Sequence, residues 1–133
     1  MSLPNSTPLF PGTMVIGSAR IATANTSRIG AGTLADLVTG DDNGTRVDRI
    51  VITATATTTA GMVRLFIDDG TDIRAFKEAA VTAVTPSASL AAFTAEVVRT
   101  DGLPVVNLPA GYKLRASTHN AESFDIVCLG GSY

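Results

Sequence analysis

Turn-forming clusters interrupt this chain at intervals of roughly 8–12 residues, a rhythm that leaves room for strands and little room for helices. Asp41-Asp42-Asn43-Gly44, Asp68-Asp69-Gly70, Pro109-Ala110-Gly111 and His119-Asn120-Ala121 are such clusters. Asn-Gly and Asp-Gly accept the positive φ that tight hairpin turns demand. Between the clusters the residues alternate apolar and polar with the period of a pleated strand. Strands are therefore expected at Met14–Thr23, Thr33–Val38, Arg46–Thr58, Met62–Ile67, Leu103–Leu108, Tyr112–Ser117 and Ser123–Leu129. Met62–Ile67 should form a hairpin with Asp72–Phe76, and Gly130-Gly131 should end the last strand. Along Arg46–Thr58, strict alternation places Val47, Arg49 and Val51 on one face and Asp48, Ile50 and Ile52 on the other.

Residues 73–98 carry two patterns. Ile73, Phe76, Ala80 and Val84 recur at helical spacing, as do Leu90, Phe93 and Val97. The same stretch alternates as strand on either side of Pro86. Two strands around a turn at Thr85–Ser89 fit the strand-rich surroundings better than a lone helical hairpin. Pro4, Pro8 and Pro11 fix φ and remove amide donors, so residues 1–12 should be an extended arm. The expected protein is all-β: an arm over residues 1–12 and one domain over residues 13–133. That domain should be an antiparallel β-sandwich or jelly-roll-like barrel of about eight strands.

Composition narrows the function classes. The 133 residues carry a formal net charge of −2 with the basic residues scattered, so no basic field is available for specific nucleic-acid binding. Only 17% of residues are charged and 45% are hydrophobic, the opposite of a disordered chain. The apolar residues are nevertheless small: there are 19 Ala, 18 Thr and no Trp. A core carried by Val, Ile, Leu and a few Phe points to help from neighbouring subunits. No run of 18 apolar residues exists to cross a membrane. The N-terminus lacks the basic-then-apolar order of a secretion leader, and the Asn-x-Ser/Thr triplets at Asn5, Asn25 and Asn43 are expected to be chance in a Thr-rich chain.

Residues that could carry chemistry are few. The single histidine, His119, follows Ser117 and Thr118, but sequence neighbours on a turn do not make a base–orienter chain, and a turn or surface role is expected. The single cysteine, Cys128, lies in the apolar run Phe124–Leu129 and reads as a small buried hydrophobe. One His and one Cys do not make a zinc site. Calcium has weak candidates in two oxygen-rich turns, Asp41, Asp42 and Asn43 in one and Asp68, Asp69 and Asp72 in the other; plain turn chemistry is the stronger reading. Gly30-Ala31-Gly32 and Gly130-Gly131 lack the helix and basic residue of a phosphate loop. Glu96 and Glu122 are not a recognisable carboxylate pair, and Tyr112 and Tyr133 are too few for a stacking platform. No catalytic residue and no cofactor is expected.

Two stretches carry a resemblance. One is Thr57-Thr58-Thr59-Ala60-Gly61-Met62-Val63-Arg64-Leu65-Phe66-Ile67-Asp68-Asp69-Gly70. The other runs from Leu108-Pro109-Ala110-Gly111-Tyr112-Lys113-Leu114-Arg115 through Asn120–Phe124 to Gly130-Gly131. They resemble small β-sandwich structural proteins of tailed bacteriophages and prophages, over most of residues 45–133. The resemblance implies a virion component without catalytic residues. The leading expectation is a capsid decoration protein, made in the bacterial host cytoplasm. It would form a trimer and bridge major capsid subunits or other virion proteins. Leu3, Leu9 and Phe10 of the arm would be its assembly contacts. A tail-associated structural protein and a carbohydrate- or receptor-binding module are the alternatives.

Overall fold

A computed structural model describes residues 12–133. Nine strands follow one another: β1 (Thr13–Ile21), β2 (Ala35–Thr39), β3 (Thr45–Ala54), β4 (Gly61–Asp68), β5 (Ile73–Val81), β6 (Thr94–Val97), β7 (Val106–Leu108), β8 (Lys113–Thr118) and β9 (Phe124–Ser132). There is no helix among the described residues. All strand pairs are antiparallel, and they are nested: β1 pairs with β9, β2 with β8, β3 with both β6 and β7, and β4 with β5. Two further pairings, β3 with β9 and β4 with β8, join these hairpin-like units into two sheets. Sheet A has the order β1-β9-β3-β6, with β7 also on β3, and sheet B has the order β2-β8-β4-β5.

The two sheets form a sandwich around one apolar core. Ile50, Ile52, Phe124, Ile126 and Cys128 come from sheet A; Val63, Leu65, Leu114 and Ala116 come from sheet B. Each large aliphatic side chain here contributes about 1.5–3 kcal/mol through burial. Phe93 meets Phe124 edge to face at 6.4 Å between ring centres, a geometry that sets the positive ring edge against the negative face. Along one side the sheets approach so closely that a Cβ at Gly17 in β1 would overlap the Leu37 carbonyl and the Val38 side chain of β2.

Bulges decide which side chains reach the core. In β3 the register shifts between Val47 and Arg49, so Val47 and Ile50 both point inward. Strict alternation would have separated them; the extra residue at Asp48 resets the parity. In β2 a shift between Asp36 and Val38 buries both Leu37 and Val38.

Several expected elements shift. The strand expected at Met14–Thr23 spans Thr13–Ile21, and the one expected at Arg46–Thr58 stops at Ala54. Residues 73–98 do hold two strands, but these do not pair with each other. β5 lies at the edge of sheet B and β6 at the edge of sheet A, because the connection around Thr85–Ser89 crosses between the layers instead of turning back. Of the strand expected at Leu103–Leu108 only Val106–Leu108 forms. Gly130-Gly131 does not end the last strand, which runs on to Ser132. The reason is a close approach: a Cβ at Gly130 would overlap the Arg46 carbonyl on β3.

Candidate functional site

The two acidic turns use their carboxylates locally. Asp41 accepts a hydrogen bond from the Ser132 hydroxyl. Asp68 accepts from the Gly70 amide at 2.8 Å and from Arg115 at 3.2 Å. Asp69 accepts from the amides of Asp72 and Thr71, and these bonds hold its carboxyl below the usual carboxylate range. Asp72 lies 3.7 Å from Arg74, and Asp42 is exposed. Among the described residues no three His, Cys, Asp or Glu side chains converge on a point that could hold a metal ion. Leu3, Leu9 and Phe10 lie outside the described residues.

His119 sits at the end of β8, half-buried, where its amide donates to the Met62 carbonyl. Its Nδ1 lies 3.1 Å from Nη2 of Arg64 on β4. An arginine only donates, so Nδ1 is the acceptor and the ring proton sits on Nε2. His119 thus lies in the turn after β8, where the sequence put it, and its ring in addition meets Arg64. A general base is oriented by a carboxylate on its second nitrogen; His119 meets a guanidinium instead. Thr118 donates to the Asn120 carbonyl, and the Ser117 hydroxyl has no hydrogen-bond partner among the described residues.

Arg64 itself is the unexpected member. Its side chain is only 2% exposed, the largest fully buried one in the described structure. It points away from the core, on the outer face of sheet B beside Phe66. The connection between β1 and β2, residues 22–34, lies over that face. Asn25 organises the connection: its side-chain amide donates to the carbonyls of Ala31 and Thr33, both at 2.8 Å, and its oxygen accepts from the Ser27 amide at 3.0 Å. Its backbone is tied to β8 through Thr118 and receives Arg64 Nη1 at 3.3 Å. Glu78 on β5 completes the cluster, 3.6 Å from Arg64 and 2.8 Å from Arg28 of the same loop. Gly30 adopts φ 88° where it passes over Phe66 and Ile73.

The sequence marked Asn25 only as part of an Asn-x-Ser/Thr triplet and Arg64 only within a longer stretch, and gave neither this role. The signal for Arg64 was present in Met62-Val63-Arg64-Leu65-Phe66-Ile67, an apolar run that only a strand covered on both faces would carry. Chemically, the cluster clamps a loop onto a sheet: the Asn25 side chain holds the loop together, and the other contacts tie it to β4, β5 and β8.

The remaining candidates are dispersed. Cys128 is buried and its thiol is pushed up to about 12 by desolvation. Glu96 lies 3.9 Å from Arg49 on sheet A, whereas Glu122 accepts from the Thr59 amide at 2.8 Å near the β8–β9 turn. Tyr112 packs against the core, and Tyr133 reaches Asn107 at 3.3 Å, so the two rings make no shared platform. No protein-family model matches this chain, and neither a curated protein nor a solved structure matches it.

Proposed function

We propose that this chain is a structural component of a tailed-phage virion, a decoration protein that stabilises the head by bridging major capsid subunits. The observation that carries the reading is the nested strand pairing. We read the orders β1-β9-β3-β6 and β2-β8-β4-β5 as a jelly roll, with β7 as an addition to β3. Jelly rolls are a recurrent architecture of viral coat domains and of lectins. The resemblance of residues 57–70 and 108–131 to phage structural proteins favours the coat reading over the lectin one. A protein of this kind needs a rigid body and surfaces that hold through many repeated contacts, since repetition on a shell raises effective concentration. The clamped loop over residues 22–34 and the mutual locking of Gly17 and β2 suit such rigidity.

The test is immunogold electron microscopy of phage particles induced from the source strain, with antibody raised against this chain. Label spread over the heads is the expected result. Label confined to the tail or its tip would move the protein to the tail, and unlabelled particles would remove the virion reading.

A further inference from the structure

The outer face of sheet A is apolar along its middle, and among the described residues nothing covers it. Met14 and Ile16 of β1 are 84% and 72% exposed and form a ridge at one edge. Leu129 of β9 stands in register beside Ile16, and one step along, Val127 of β9 sits between Ser18 of β1 and Val51 of β3. At the far side the chain between β6 and β7 folds over, and Leu129, Val98 and Leu103, with Arg46, Arg49 and Arg99 around them, line a hollow of about 350 Å³. Leu103 is 55% exposed at its rim. Large side chains standing in water at a ridge and around a recess on one sheet are the marks of a contact surface.

The charges on this face narrow what can meet it. Arg20 pairs with Asp125 at 2.6 Å, Arg49 lies 3.9 Å from Glu96, and Arg46 and Arg99 pair with Asp48 and Asp101. Four arginines are matched by four carboxylates, all within the face. A neutral face has no attraction for nucleic acid or an anionic membrane. It can meet an identical face without like-charge repulsion, which a face of one sign could not. Strands ~4.8 Å apart, rising ~3.3 Å per residue, give it a span of roughly 20 by 30 Å. Its corrugated surface is then close to the ~800 Å² that each partner contributes to a stable interface.

We propose that the outer face of sheet A is a self-association surface, on which a second copy of this chain docks with the Met14–Ile16 ridge of one copy in the Leu129–Leu103 recess of the next. Ridge and recess lie side by side on one face, Ile16 in register with Leu129, so two facing copies related by a twofold axis can each seat the other's ridge. The inference stands on this surface alone and does not depend on the virion reading.

Sedimentation equilibrium of the full chain at micromolar to tens-of-micromolar concentration tests it. The wild type is expected at a multiple of 13.7 kDa, and the Met14→Lys/Ile16→Lys double variant as a monomer with unchanged circular dichroism. Both side chains already stand in water on an edge strand, so the double variant should keep its fold. As a second readout, Met14→Cys and Leu103→Cys in one chain should give intermolecular disulfides on mild oxidation, with Cys128 silent because it is buried. A wild type that stays monomeric throughout would overturn the proposal. So would an oligomer that survives the lysine pair and gives no cross-link. Neither result bears on whether antibody labels phage heads.

Discussion

Arg64 on β4 and His119 just past the end of β8 stand 3.1 Å apart, a buried guanidinium donating to an imidazole nitrogen. The same guanidinium holds the Asn25 carbonyl and faces Glu78. Truncating Arg64 therefore strips one loop and two side chains of a partner at once. Arg64→Ala is expected to cost about 1–3 kcal/mol in urea denaturation, the range for leaving buried acceptors unpaired, since Glu78 is part-exposed and keeps Arg28. Arg64→Lys should lose part of that, because an ammonium lacks the planar fork that serves two acceptors.

The Asn25 side chain makes three hydrogen bonds within its own loop. Asn25→Ala should leave the two sheets folded and release residues 26–33. Amide exchange there should rise by at least an order of magnitude while β3 and β9 stay protected. Asn25→Asp should be worse than Ala, since a carboxylate would face the carbonyls of Ala31 and Thr33.

Cys128 gives an alkaline signature. Its thiol titrates at about 12 in the folded chain against about 8.5 in an unfolded one. Above the lower value the unfolded state loses a proton that the folded state keeps. The stability this contributes is complete below about pH 8.5 and declines as pH rises toward 12. Cys128→Ala should flatten that limb in melting experiments at pH 8–11, and the native thiol should resist alkylation at pH 8.

Acid acts on different groups. Arg20 holds the Asp125 carboxyl below its usual range by a hydrogen bond, Arg99 does the same for Asp101, and the Asp72 and Thr71 amides do so for Asp69. Each contribution is present above the ordinary carboxylate value near 4 and is lost as pH falls through the depressed folded one. Stability should fall with pH below about 4, and Asp125→Asn should shallow the slope. All three groups are exposed, so high salt should weaken the effect.

Gly17 and Gly130 are needed for space; neither has a positive φ. A methyl at Gly17 would meet the Leu37 carbonyl and Val38, and one at Gly130 the Arg46 carbonyl. Each Ala variant should destabilise by about 1–3 kcal/mol, as overpacking does. Both methyls would meet a carbonyl, and Gly130→Ala should be the more severe because its approach to the Arg46 backbone is the closer. Thermal melts of the two variants check the order.

The all-β class, the β4–β5 hairpin and the turns at Asp68-Asp69-Gly70 and Pro109-Ala110-Gly111 were legible because turn chemistry and period-two alternation are local. What failed was non-local. Val47 and Ile50 share a face only because Asp48 bulges, and a bulge is a property of two strands. Gly130-Gly131 reads as a stop until Arg46 is known to lie against it. The outward burial of Arg64 depends on a loop forty residues away in sequence. Met14 and Ile16 look like core residues in the sequence, since an apolar strand does not announce which of its side chains face water.

The nested pairing also sets when the chain can fold. β9 is the last strand and sits between β1 and β3, so it supplies the centre of sheet A. Any fragment ending before Phe124 leaves β1 without its partner and exposes the inward faces of both neighbours. Pairings such as Thr13 with Ser132 close loops nearly as long as the chain, the kind of contact that slows folding most. Folding of this domain should thus be late and all-or-none, and chains truncated before β9 should aggregate.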